Sequence, residues 1–203
     1  TLTKSTVEPL KNGVEADTNG GLTIDVYPGG ALGKGPLEQY VRAVQGVADI
    51  TWGLEGYTSS QFPNTMISEL PGVLKPGETG YDAIWNAYDA GLLDREFPGT
   101  VPLALWLSEP NIFIMKDRDI RKPEDLKGLK IRASSKSAAA ILTAYGATPV
   151  QMPATKVYTS MSTGVVDGAL MGTGSLLIGI VFPIASGFKL LTNASMCAGF
   201  RSL

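Results

Sequence analysis

Three times along the chain a helical pattern runs into a glycine and then into a short apolar run: "GPLEQYVRAVQGVADITWG", "SAAAILTAYGATPVQMP" and "ATKVYTSMSTGVVDGAL". Glycine ends a helix by taking the left-handed conformation that other residues resist, and the apolar run after it has the length of a buried strand. A chain built this way covers a parallel or mixed sheet with helices, which predicts an α/β fold. The same rhythm predicts helices over Thr6 to Ala16 and Tyr81 to Asp89. It also predicts strands at "LTIDVYP" and "TVPLALWL", a short strand ending at Trp52, and one around Val165.

Charge divides the chain. Of 17 basic and 19 acidic residues, only Lys136, Lys156, Asp167, Lys189 and Arg201 lie beyond Arg132. The second half is therefore a buried or covered part, and 203 residues suffice for one large domain or two small lobes. A net charge of −2 gives no basic surface for nucleic acid. With no histidine and a single cysteine, Cys197, the chain cannot assemble a Cys/His zinc site, a Ser-His-Asp triad or a Cys-His dyad. Its acidic residues show no metal-ligand spacing, so neither metal nor cofactor is expected. "GGALGKGP" has a lysine among glycines but not the P-loop spacing, and "GTGSLLIG" misses the dinucleotide fingerprint. Thr1 to Gly13 has no apolar core segment, so any signal peptide is expected to have been removed. The uncharged run between Asp167 and Lys189 is long enough for a bilayer, yet its glycines and Pro183 favour a buried helix plus loop.

One charged residue has a pointed position. In "PEDLKGLKIRAS", Pro123, Glu124 and Asp125 make a helical first turn, Gly128 can stop it, and a strand follows. On that pattern alone, Arg132 alternates outward with Lys130 as a solvated residue.

Taken in order, "NGGLTIDVYPGGALG", "GVADITWGLEGYTSSQFP", "SELPG", "PEDLKGLKIR" and "YGATPVQMPATKVYTSMSTGVVDGAL" resemble the periplasmic solute-binding proteins of TRAP transporters, the DctP type. The resemblance runs from Thr1 to Gly168 and is most specific in "EDLKGLKIR" and "TGVVDGA". It implies a periplasmic-binding-protein-like fold of two α/β lobes with a ligand cleft between them. Residues 1–109 would form lobe I without its first strand, 110–197 lobe II carrying Arg132, and 198–203 the return to lobe I. It further implies a periplasmic receptor that performs no catalysis and passes a small organic acid to TRAP transporter membrane subunits. In that family the arginine of "GLKIR" meets the ligand's carboxylate; here it is Arg132, whose planar fork of donors suits a carboxylate. Trp52, Tyr57, Phe62, Met152, Tyr158 and Met171 stand in segments that would line the cleft, whereas Asp167 reads as a turn or cap residue.

Two departures from the family bear on the ligand. "NIFIM", Asn111 to Met115, stands where many members have a second arginine, and Leu170 with Met171 stands where many have a polar pair. Both favour an acid with an apolar or aromatic body. The competing expectations are an α/β enzyme acting on a small carboxylate, and a small-residue-rich, membrane-associated interaction subunit.

Overall fold

The computed structural model describes residues 3–33, 35–74, 79–108 and 110–172. The uncharged run from residue 173 onward, Cys197 and the predicted return at 198–203 lie outside the described residues. Five α-helices are described: α1 (Glu8–Asp17), α2 (Gln39–Val44), α3 (Gly80–Asp89), α4 (Lys136–Ala144) and α5 (Val157–Ser162). Four strands, β1 (Asn111–Met115), β2 (Lys130–Ala133), β3 (Thr148–Gln151) and β4 (Gly168–Gly172), form one sheet in the order β1-β4-β2-β3. β2 runs parallel to β3 and β4, and β1 pairs antiparallel with β4. Pro149, which cannot donate to a ladder, sits on the edge strand β3, where its missing N–H is tolerated.

The second half realises the helix, glycine, strand scheme. Pro123–Leu126 forms a 3-10 turn, and Gly128 (φ 74°) and Gly146 (φ 77°) reverse the chain before β2 and β3. Residues on successive sides of each strand enter different cores. Met115, Ile131, Ala133 and Leu170 pack with Ala138 and Leu142 of α4, while Ile114, Ala169 and Met171 pack with Val157 and Met161 of α5. The sheet is thus covered on both faces, which is why its strands read as apolar runs. The strand expected around Val165 begins at Gly168 instead, because the Val165 amide still closes onto Ser160 at the end of α5.

In the first half the helices hold and the strands do not. Among the described residues, no strand forms at "LTIDVYP", before Trp52 or at "TVPLALWL". Alternating side chains make a strand only where a neighbour completes the ladder. Ile24 instead donates its amide to Glu15 Oε1 (3.0 Å) and accepts at its carbonyl from Lys11 Nζ (2.6 Å), both on α1. Along 101–108 only Leu105 is buried, and Val101 and Leu103 are exposed. The core here is aromatic: successive ring contacts link Tyr81, Trp85, Tyr88, Phe97, Phe62 and Tyr40.

Asp167 and Gly168 explain the "DG" of the closing motif. Asp167 Oδ2 accepts from the Lys130 amide (2.8 Å), its own amide donates to Lys130 O, and its carbonyl accepts from Lys116, so it ties β1, β2 and β4 together. A Cβ on Gly168 would stand 2.7 Å from the Ile114 carbonyl oxygen. Gly168→Ala is therefore expected to force β1 from β4 and cost about 1–3 kcal/mol, read from urea unfolding; wild-type stability in this variant would contradict the tight pairing.

Candidate functional site

Strand alternation decides where Arg132 goes. With Ile131 and Ala133 turned toward α4, Arg132 occupies the opposite face of β2, between Val150 and Ala169 in register. Its side chain is 2% exposed, so the solvated position is overturned. The guanidinium donates from Nε to Met152 O (3.0 Å), from Nη1 to Leu170 O (3.3 Å) and from Nη2 to the Tyr57 hydroxyl (3.4 Å). The Tyr57 oxygen also accepts from the Ala154 amide (2.8 Å). Burial works against the charge of Arg132, and Tyr57 and then Glu69 support it. Among the described residues, no carboxylate forms an ion pair with it. Arg132 stands toward the carboxyl ends of the parallel strands β2 and β3, the side on which open α/β sheets bind their ligands.

A polar seam joins the first half of the chain to this place. Ser135 caps α4 by accepting from the Ala138 amide (3.0 Å), and its hydroxyl donates to Glu69 Oε2. Lys136 donates its amide to Ser59 Oγ (3.2 Å) and its ammonium to Ser60 Oγ (2.7 Å). Gly56 permits the approach, since a Cβ there would lie 3.1 Å from Ser135 Cβ and 3.3 Å from Glu69 Oε1. Burial pushes the Glu69 carboxyl up, opposed by the Ser135 bond and the Arg132 charge. Burial also raises Glu55, with Glu69 and Glu96 adding repulsion. Among the described residues no group of acids is arranged to hold a metal ion.

The other sequence-predicted residues divide. Tyr57 and, through its carbonyl, Met152 meet Arg132 directly. Met171 shares its sheet face and is paired with Ile112, but is 3% exposed beneath α5. Leu170 points to the opposite face, so only one of the two apolar replacements is on the side of Arg132. Phe62, 2% exposed between Tyr40 and Phe97, belongs to the aromatic core and is not brought to Arg132. Trp52 is half-buried with no hydrogen bond to Arg132 or Tyr57 among the described residues, and Tyr158 lies on α5 with 39% of its surface exposed. Sequence reasoning missed Glu69, Ser135 and Glu96. It also missed Arg42, which is buried and donates to Gly35 O (3.1 Å) and Glu38 (3.4 Å).

Residues 1–177 match the family model described as DctP, bacterial extracellular solute-binding protein, family 7. The chain belongs to this family. A TRAP solute-binding protein from Rhodoferax ferrireducens T118, solved with copurified benzoate, superposes with a TM-score of 0.79 at 31% identity, over 87% of this chain and 56% of that one. A marine metagenome TRAP solute-binding protein specific for aromatic acid ligands, solved with 3-hydroxybenzoate, gives a TM-score of 0.80 at 28% identity, over 88% and 57%. The C4-dicarboxylate-binding periplasmic protein DctP of Rhodobacter capsulatus is 30% identical over 156 residues, 76% of this chain and 46% of that protein. The DctP-family chain described here spans about half the length of the curated relatives it matches. Its fold is the α/β fold of periplasmic binding proteins, as its motifs implied.

Proposed function

We propose that this chain is the acid-recognising part of an extracytoplasmic receptor, periplasmic in location. It holds a small organic acid by its carboxylate at Arg132 and presents it, chemically unchanged, to TRAP transporter membrane subunits. The observation that carries this is an arginine 2% exposed toward the carboxyl ends of β2 and β3, its guanidinium held by neutral oxygens alone. Three of its five N–H groups are spent on those oxygens, which leaves one on each terminal nitrogen for a carboxylate. Tyr57, whose oxygen already accepts twice, has its own proton to donate to the same anion.

The ligand's body is apolar or aromatic in this reading. Ile112 and Met171 form a cross-strand apolar pair on the face of Arg132, and the two structural relatives described above hold benzoate and 3-hydroxybenzoate. A C4-dicarboxylate, which the Rhodobacter relative's name carries, asks for a second cation. Arg42, the other buried arginine of the described residues, is already engaged by Gly35 and Glu38. Trp52, Met152 and Tyr158 complete the proposed lining, and residues 1–109 and 110–197 act as lobes that close over the acid about Leu103 to Trp106. Calorimetric titration with benzoate, succinate and glucuronate tests this. Benzoate is expected to bind at least about tenfold more tightly, since the polar acids bury groups without partners at about 1–3 kcal/mol each; tighter binding of either polar acid would overturn the apolar pocket.

A further inference from the structure

We propose that Glu69 is a positioning residue that makes acid capture proton-linked, its carboxyl taking up a proton from solvent when a ligand carboxylate engages Arg132. This rests on Arg132 being the anchor.

The geometry places Glu69 where it must answer to a second anion. Its Oε2 is held by the hydroxyl of Ser135, three residues beyond Arg132, and its Oε1 lies against Gly56, the neighbour of the Tyr57 that binds Arg132. The charged and titratable groups around it are few. Glu55 on the 3-10 turn Glu55–Thr58 repels it, Arg132 on β2 attracts it, the Tyr57 hydroxyl accepts from Arg132, and Lys136 on α4 directs its ammonium to Ser60. Arg132 is thus the cation that favours an ionised Glu69, while burial already favours the protonated form.

A carboxylate seated on Arg132 adds a negative charge beside Glu69 and offsets the cation that stabilised it. Both effects raise the proton affinity of Glu69 further. A group that binds its proton more strongly in the complex than in the free protein makes binding tighter at lower pH. Between the free and the bound pKa, affinity falls by up to about tenfold for each unit of rising pH. The bond that forms is the O–H of Glu69, and the one that breaks is the bond to that proton in the buffer's acid form, which is left as its conjugate base.

The test is titration of the full chain with benzoate in pairs of buffers that differ in ionisation enthalpy, from weakly acidic to neutral pH. Wild type is expected to show a buffer-dependent enthalpy approaching one proton taken up per benzoate at its peak. Glu69→Gln is expected to bind benzoate with no uptake and a flat pH profile. Binding without uptake in wild type, or unchanged uptake in Glu69→Gln, would overturn this inference and leave Arg132 as the anchor. Absence of benzoate binding would overturn both. If Glu69→Gln does not fold, Ser135→Ala decides: it removes a hydrogen bond that favours the ionised carboxyl, so the peak must move to higher pH. An unmoved peak would refute the role of Glu69.

Discussion

Arg132→Ala is expected to weaken benzoate binding by about 2–5 kcal/mol, a loss of roughly thirtyfold to several thousandfold. The charge, the paired donors and their orientation disappear together, and water entering the gap cannot replace an aligned fork. The residue is also structural. Met152 O, Leu170 O and the Tyr57 hydroxyl would each lose a donor, so stability is expected to fall by about 1–3 kcal/mol in the same variant. Two readouts separate the effects: calorimetric affinity for the site and urea unfolding for the fold. Arg132→Lys keeps the charge, but an ammonium on a flexible stem cannot satisfy oxygens on β4, after β3 and on Tyr57 while holding a carboxylate. It is expected to recover part of the affinity at most. Wild-type affinity in Arg132→Ala would show that the acid binds elsewhere.

How far the sequence reaches is clearest at this same residue. "PEDLKGLKIR" announces a helical first turn, the glycine reversal and the strand, because each depends on neighbours a few positions away. That Arg132 is buried does not follow from its neighbours. Its partners are two backbone carbonyls and a phenol from a distant segment, and a carbonyl leaves no mark in the sequence. Phe62 shows the converse error: its segment suits a cleft wall, but the rings of Tyr40 and Phe97, from two other segments, close around it. The first-half strands fail for a related reason, since alternation records which side chains face inward and not whether a partner strand is beside them. Glu69 and Glu96 were illegible because single carboxylates far from Arg132 in sequence become meaningful only once the chain has folded Ser135 and Thr65 against them.

Glu96 carries the largest expected effect on stability. It is 1% exposed and its carboxylate is saturated: Oε1 accepts from the Asn64 amide, and Oε2 from the Thr65 amide (3.0 Å) and Thr65 Oγ1 (2.5 Å). These bonds start the 3-10 turn Thr65–Glu69, at whose end Glu69 stands. The Glu96 carbonyl meanwhile receives Tyr40 and Gln61, so one residue fastens both sides of the loop to the aromatic core. Glu96→Ala leaves the buried amide and hydroxyl of Thr65 without an acceptor, at about 1–3 kcal/mol each, and the amide of the exposed Asn64 loses its partner too, for a total near 3–5 kcal/mol. Against a domain stability of about 5–15 kcal/mol this lies close to unfolding. Glu96→Gln is expected to cost less, because one oxygen remains, but its amide hydrogens then face the same donors. Urea midpoints measured with and without benzoate separate this fold defect from a site defect. A ligand at a hundred times its Kd returns about 2.7 kcal/mol to any variant that still binds it. Glu96→Gln should therefore gain stability on saturation with benzoate, and Arg132→Ala should gain almost none at the same concentration. If Glu96→Gln were as stable as wild type, the carboxylate would not be what fastens this loop, and the geometry around Glu69 would have to rest on Ser135 alone.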